Sequence, residues 1–276
     1  MTGDTAGTPF AAATRKVAFS VSLKEWESEF FGRTFGSLAW THAPGPPASL
    51  PEAADALGRV CREADAAAFA VVECHLDVNE LAMAAALETV GFKLVDSRIR
   101  FVTRFTVADI PDTTPTRGVI VDAMPEHRDR IVELTHAGFT DNGHLVSRFK
   151  NPEYFSRDES RRYFEAWIDN TVFDTRSASA VFLVDDDVVG YYIYQARDSR
   201  EGIPVVKGIL TAVEPEHRGA NAQLAMQAHL YRKFGFDEWF LDNTTQLTNA
   251  PVIRNHIRSA KRLEEIVLTF YRKPPG

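Results

Sequence analysis

The chain has 276 residues, 45% apolar and 25% charged, an ordinary soluble composition long enough for one large domain or two modest ones. A formal charge of -7 and a pI near 5.7 argue against a general nucleic-acid binder, which needs a basic face. No apolar run approaches the ~20 residues of a membrane-spanning helix.

The first residues, 1–14, are small and polar without the basic-then-apolar order of a secretory signal, and read as a disordered tail. Lys16 to Leu23 reads as a strand, Trp26 to Gly32 as an aromatic turn, and Phe35 to Trp40 as a second strand. Pro44 to Pro47 is a loop by composition. Leu50, Ala54, Leu57, Val60, Cys61 and Ala64 recur at helical spacing over 50–67. Ala70 to Leu76 is a short buried strand, Asn79 to Val90 a helix stopped by Gly91, and Leu94 to Phe105 a strand. Cys61 and Cys74 cannot build a disulfide framework; they read as buried thiols in a reducing cytoplasm, and their spacing is not a metal pattern.

Pro111 and Pro115 with polar neighbours mark a domain boundary. Beyond it, Gly118 to Asp122 is a strand and Pro125 to His136 a helix. Ser156 to Val172 is an amphipathic helix with Tyr163, Phe164, Trp167 and Ile168 on one side. Ala180 to Val184, the turn Asp185-Asp186-Asp187 and Val188 to Gln195 form a hairpin. Val205 to Val213 is a strand, Ala222 to Phe234 a helix, and Trp239 to Asn243 a buried strand. A helix around 250–260 and a strand over 263–272 close the chain. This ending echoes the helix, Gly91 and the strand 94–105, as duplication or as chance.

Val213-Glu214-Pro215-Glu216-His217-Arg218-Gly219-Ala220-Asn221-Ala222-Gln223-Leu224 reads as strand, turn and helix start. Backbone N–H groups there would cradle phosphate, and Gly219 lets the backbone approach it closely. With the strand 239–243 and Asn249 opening the next helix, this pattern resembles the GCN5-related N-acetyltransferase superfamily. Within it, four pieces in order resemble the TDP-fucosamine acetyltransferase family. They are Trp26-Glu27-x-x-Phe30-Phe31-Gly32, Ala86-Leu87-Glu88-x-x-Gly91-Phe92-x-Leu94-Val95, Ser147-Arg148-Phe149 with Tyr163-Phe164-x-x-Trp167-Ile168, and Thr245-Gln246-x-x-Asn249 through Tyr271-Arg272.

The resemblance implies a mixed α/β tandem fold: a tail over 1–15, a partial N-terminal module over 16–108, a linker over 109–117, and a catalytic domain over 118–276. It implies a cytoplasmic N-acyltransferase moving an acyl group, acetyl in known members, from acetyl-CoA or another acyl-CoA to an amine of a small molecule, such as a nucleotide-linked aminosugar. No metal, nucleic acid or membrane partner is implied, and a homodimer stays open. Arg218, Gly219, Ala220, Asn221 and Ala222 would hold the donor pyrophosphate, and a backbone N–H near Leu210, Ala212 or Val213 would polarise the thioester. Arg148 would bind substrate phosphate. Asn249 would cap its helix and organise the site. His256 stands where the family has a tyrosine that protonates the leaving thiolate; the role needs a raised imidazole pKa or a positioned water. Glu214, Glu216, Asp242 and His217 are candidate bases. The turn departs from Arg-Gly-x-Gly-x-Gly: Asn221 replaces a glycine. A carrier-protein or aminoacyl-tRNA donor, or a non-catalytic binding domain, are the alternatives.

Overall fold

A computed structural model describes residues 10–14, 17–42, 48–141, 147–219 and 221–275. The loop over Pro44 to Pro47, most of the tail, and Ala220 of the candidate pyrophosphate turn lie outside the described residues. The chain forms two compact units, one comprising residues up to Arg98 and from Glu265 onward, the other Ile99–Glu264. The segment 109–117, read as a linker, falls inside the second unit, and most of the closing strand belongs to the first.

In the first unit, β1 (Phe10–Ala13) pairs antiparallel with β2 (Val17–Leu23), and β2 with β3 (Phe35–His42). Residues 10–13 are therefore strand rather than tail. Pairing of Phe10 with Val21 through Ala13 with Ala18 satisfies the backbone, which needs no large side chains to do so. The aromatic segment expected as a turn is a helix, α1 (Glu25–Phe31), ended by Gly32 at φ 63°. α2 (Leu50–Ala66) begins with a capping box, in which the Ser49 backbone N–H donates to Glu52 Oε2 at 2.9 Å. It buries Ala53, Ala56, Leu57, Val60, Cys61 and Ala64. It carries the chain from β3 to β4 (Val71–Asp77), which runs parallel to β3. α3 (Leu81–Thr89) adds Met83, Ala86 and Leu87 to the same core. Cys61 and Cys74 are free and buried, and burial pushes the Cys61 thiol up to about 11.

β5 (Lys93–Thr106) leaves this unit, and β11 (Leu263–Arg272) returns to it, pairing antiparallel with β4 from Val267 opposite Asp77 to Arg272 opposite Val72. The closing strand was read with the second domain. Its Phe270 is in the first core, and its Arg272 anchors the strand to two helices. Arg272 donates to both Asp65 oxygens at 2.6 and 2.7 Å, and through Nε to the Val90 carbonyl at 3.0 Å.

The second unit contains β6 (Val119–Asp122), β7 (Ser177–Val184), β8 (Asp187–Arg200) and β9 (Ile203–Val213), paired antiparallel in that order. α6 (Ala222–Phe234) then crosses to β10 (Glu238–Gln246), parallel to β9. The expected hairpin is present and longer, turning through Asp185 and Asp186 at φ 51° and 65°. α4 (Arg128–Thr135) is shorter than expected because a 3-10 turn precedes it and a π turn, His136–Thr140, follows. α5 (Arg157–Thr171) has a full capping box on Ser156 and buries Phe164 and Ile168, as its apolar stripe requires. β8 is buried on both faces from Val188 to Gln195. Tyr192 and Tyr194 pack in the α6 core, while Tyr191 hydrogen-bonds Thr135 of α4 at 2.8 Å. Among the described residues no helix is long and apolar enough to cross a membrane.

Arg272→Met should destabilise the first unit by about 2–4 kcal/mol, because it strands the Asp65 carboxylate and the Val90 carbonyl. Urea denaturation measures this. Arg272→Lys should recover less than half, since a point cation cannot reproduce the two-pronged contact.

Candidate functional site

The feature that organises the second unit's candidate site is the early end of a parallel ladder. β9 and β10 pair at Val205–Phe240, Val206–Leu241 and Lys207–Asp242. β9 then continues to Val213 and β10 to Gln246 beyond the last paired position. Two local causes coincide there. On the β8 side, Ile193 pairs with Leu210 and Tyr194 with Gly208, so Ile209 is an extra residue that bends β9. On the β10 side, the Asn243 amide enters the space beside Gly208. A Cβ on Gly208 would lie 2.1 Å from Asn243 Nδ2. Beyond Gly208 and Asn243 the two strands are thus not paired with each other, and the slot is this unpaired stretch between them, with Gly208 and Asn243 at its apex.

From this stretch β9 runs directly into the turn that opens α6. Pro215–His217 forms a single 3-10 turn, and Arg218 Nε donates to the Val213 carbonyl at 3.0 Å. Gly219 and Asn221 both take left-handed backbone, φ 84° and 55°. Asn221 tolerates the conformation that a glycine would occupy in the family pattern. Asn221 makes no side-chain cap to α6. The amides of the first turn, from Ala222 on, are thus not taken by a capping oxygen, and the helix dipole favours an anion beside them. Leu210 is buried, whereas Ala212 and Val213 are half-buried further along β9.

Asn249 precedes α7 (Ala250–Arg258), but its side chain does not cap that helix. It donates instead to Thr245 Oγ1 at 3.1 Å, tying the start of α7 to the free end of β10. His256 is 2% exposed, its ring 4.9 Å from Phe101, and its Nδ1 is enclosed without a hydrogen-bond partner. Burial, with a smaller contribution from the Lys261 charge, takes the imidazole down to about 3. That shift is opposite to the one a cationic general acid needs, and it leaves His256 neutral at neutral pH.

Sequence reasoning passed over the groups that meet at the apex. Lys261 is 6% exposed and donates from Nζ to Asn243 Oδ1 at 3.0 Å. Asn243 Nδ2 donates to the Tyr192 hydroxyl at 3.4 Å, as do Gln227 Nε2 at 3.3 Å and Tyr194 Oη at 3.0 Å. Tyr194 and Tyr231 share a further bond of 2.9 Å. Burial raises the pKa values of all three phenols, so they remain neutral. Burial lowers Lys261 to about 7. In the sequence Lys261 follows a helix and resembles an ordinary surface cation. A polar residue in a buried strand, Asn243, was the available signal.

The other expected residues are placed elsewhere or already paired. Arg148 stacks over Phe149 at 4.7 Å, in the aromatic cluster where Phe149 meets Tyr163 of α5 at 3.9 Å. Of the candidate bases, Glu214 pairs with Arg130 and lies 3.6 Å from His217, and Asp242 accepts from Arg100 at 3.1 and 2.9 Å. Glu216 is exposed, and its carbonyl accepts from Arg117 at 3.3 Å.

Gly208→Ala should cost about 2–4 kcal/mol, because the new methyl must displace the Asn243 amide and break its bonds. In an Asn243→Ala background the same substitution should cost less than half as much. A double-mutant cycle by urea denaturation reads the coupling.

Neither a family model nor a curated protein matches the sequence. Solved structures do match. A tandem GNAT protein from the clavulanic acid biosynthesis pathway is similar over 95% of this chain and 80% of its own, with TM-score 0.58 and 11% identity. A conserved protein of unknown function from Staphylococcus epidermidis ATCC 12228 aligns over 98% and 95%, with TM-score 0.60 and 10% identity. A GCN5-related N-acetyltransferase from Sphaerobacter thermophilus aligns over 95% and 82%, with TM-score 0.54 and 14% identity. At such identities the likeness is one of fold: the chain has the mixed α/β, tandem fold of the GCN5-related N-acetyltransferases.

Proposed function

We propose that the second unit transfers an acyl group from a CoA thioester to the amine of a small molecule. The observation that carries this reading is the slot between β9 and β10, opening beside the uncapped first turn of α6. A thioester arm laid along β9 would meet main-chain N–H groups that the parallel ladder does not use. These would polarise its carbonyl where negative charge develops. Leu210, Ala212 and Val213 line that stretch of β9. The pyrophosphate would rest on the turn Arg218 to Ala222, in which Gly219 and Asn221 take left-handed backbone, beside the start of α6.

Asn249 would act as a positioning residue by holding α7 to the end of β10. The acceptor must present a neutral amine, and Glu214 and Asp242 are each engaged by an arginine. A water chain is therefore the route proposed for the amine's proton. A nucleotide-linked aminosugar is the proposed acceptor class on the sequence resemblance alone, with Arg148 for its phosphate. The altered glycine pattern favours one other donor, a carrier-protein thioester, which shares the pantetheine arm but not the nucleotide.

Calorimetric titration with acetyl-CoA tests the reading. Binding with a Kd below about 100 μM, weakened about tenfold or more by Gly219→Val, is the expected result. No heat at millimolar acetyl-CoA, together with binding of an acetyl-pantetheine thioester, would transfer the assignment to a carrier-protein donor. Binding of neither would overturn acyl transfer.

A further inference from the structure

We propose that Lys261 is the proton donor to the departing thiolate in this acyl transfer, an assignment that rests on the reading above. The expected acid, His256, is neutral and loses its proton only with difficulty, whereas Lys261 lies at the apex where β9 and β10 part. Its Nζ reaches Asn243, and the Asn243 amide fills the space beside Gly208, the last residue of β9 before the bulge. An acyl group carried into the slot would end beside this ammonium.

The chemistry of the surroundings points to a ligand that accepts hydrogen bonds. An ammonium carries three N–H donors, and the Asn243 carbonyl oxygen accepts one of them. The Gln223 side chain is turned toward the Tyr192 hydroxyl, and His256 Nδ1 is enclosed without a partner, donor or acceptor according to its tautomer. The Tyr192 hydroxyl already receives bonds from Tyr194, Gln227 and Asn243. Two N–H groups of the ammonium are therefore left for a further acceptor, and a sulfur bearing a new lone pair is one. The titratable groups around Lys261 and its amide partner are His256 from α7, Tyr192 and Tyr194 from β8, and Tyr231 from α6. Among the described residues no carboxylate pairs with Lys261.

An unpaired buried ammonium holds its proton loosely. Burial brings Lys261 to about 7, while a free thiol has a reference value near ~8.5, so transfer to the thiolate is downhill. The atoms balance without a co-reactant. The acceptor nitrogen attacks the carbonyl carbon and the C–N bond forms. The C–S bond breaks with its electron pair on sulfur, and the Nζ proton passes to that sulfur. The proton shed by the new amide nitrogen returns through solvent to Nζ. The net change is thioester plus amine to amide plus thiol.

The same burial sets a sign for stability against pH. The unfolded lysine holds its proton up to about 10.5, whereas the folded one releases it near 7. Between these values the unfolded chain binds more protons, so stability rises with pH through this window. Below about 7 both forms are charged and the destabilisation is at its full size.

The test compares wild type, Lys261→Met and Lys261→Arg. Donor affinity is read by calorimetry with acetyl-CoA, and thioester cleavage by free thiol release against pH with water as acceptor, since the leaving step is the same. The expected result is donor affinity within threefold in both variants and cleavage lowered about 100-fold or more. The wild type should lose rate above neutral pH as Lys261 gives up its proton, and this limb should vanish in both variants. The urea midpoint of wild type should rise from pH 7 to 10, and that of Lys261→Met should not. Cleavage by Lys261→Met within about threefold of wild type, an unchanged pH limb, or no cleavage by donor-bound wild type overturns the proposal alone. Failure of wild type to bind either acetyl-CoA or an acetyl-pantetheine thioester overturns acyl transfer with it. If Lys261→Met does not fold, NMR of 13Cε-labelled lysine in wild type decides, because absence of a lysine titrating near neutral pH overturns the assignment.

Discussion

The contact between Asn243 and Gly208 is the constraint on which the second unit's site depends. A parallel pair is held by evenly spaced backbone bonds, and nothing in β9 or β10 alone requires those bonds to stop after Lys207 and Asp242. They stop where a side-chain amide takes the space next to the neighbouring strand, and only a residue without a Cβ leaves that space. The extra residue Ile209 then rotates β9 away on its other edge. The slot is therefore built by one amide, one glycine and one bulge. The Tyr192 hydroxyl and the Lys261 ammonium hold that amide in place.

This arrangement explains why so much of the elements, and so little of the site, was legible in the sequence. α2 and α5 follow from apolar spacing and a serine capping box, which are local properties. The β7–β8 hairpin follows from three aspartates, two of which take positive φ. α1 was missed because its seven residues are short and crowded with aromatics, and its stop, Gly32, also suits a turn. β1 was missed because small residues carry no periodicity; backbone pairing to β2 alone defines it. The allegiance of β11 is set by Arg272 meeting Asp65, over two hundred positions earlier, and no local pattern encodes such a pair.

The site residues divide along the same line. The left-handed backbone of Gly219 and Asn221, though not their proposed part in holding a donor, was legible because such a turn restricts residue type at those positions. Asn249 was located correctly at the start of α7, but its partner is Thr245 on β10 rather than its own helix. His256 was chosen by its place in a pattern, and its properties come from burial against Phe101 and from a lysine five residues later. Protonation state is a tertiary quantity. The same imidazole at a helix surface would stay near its ordinary value, and enclosure takes it down.

His256 and Lys261 also constrain each other. The Lys261 backbone N–H donates to the His256 carbonyl at 3.0 Å, so the two side chains are placed by one turn of chain. Two cations so enclosed would repel in a medium of low dielectric, and the lysine's charge is one cause of the imidazole's low affinity for protons. At neutral pH the pair therefore carries at most one exchangeable charge, and it resides on Lys261. His256 then contributes by staying neutral: a cationic imidazole would drive the lysine's proton off and empty the donor. An aromatic, uncharged neighbour is what an unpaired ammonium near its midpoint requires, and α7 supplies it by placing His256 against Phe101 and away from water.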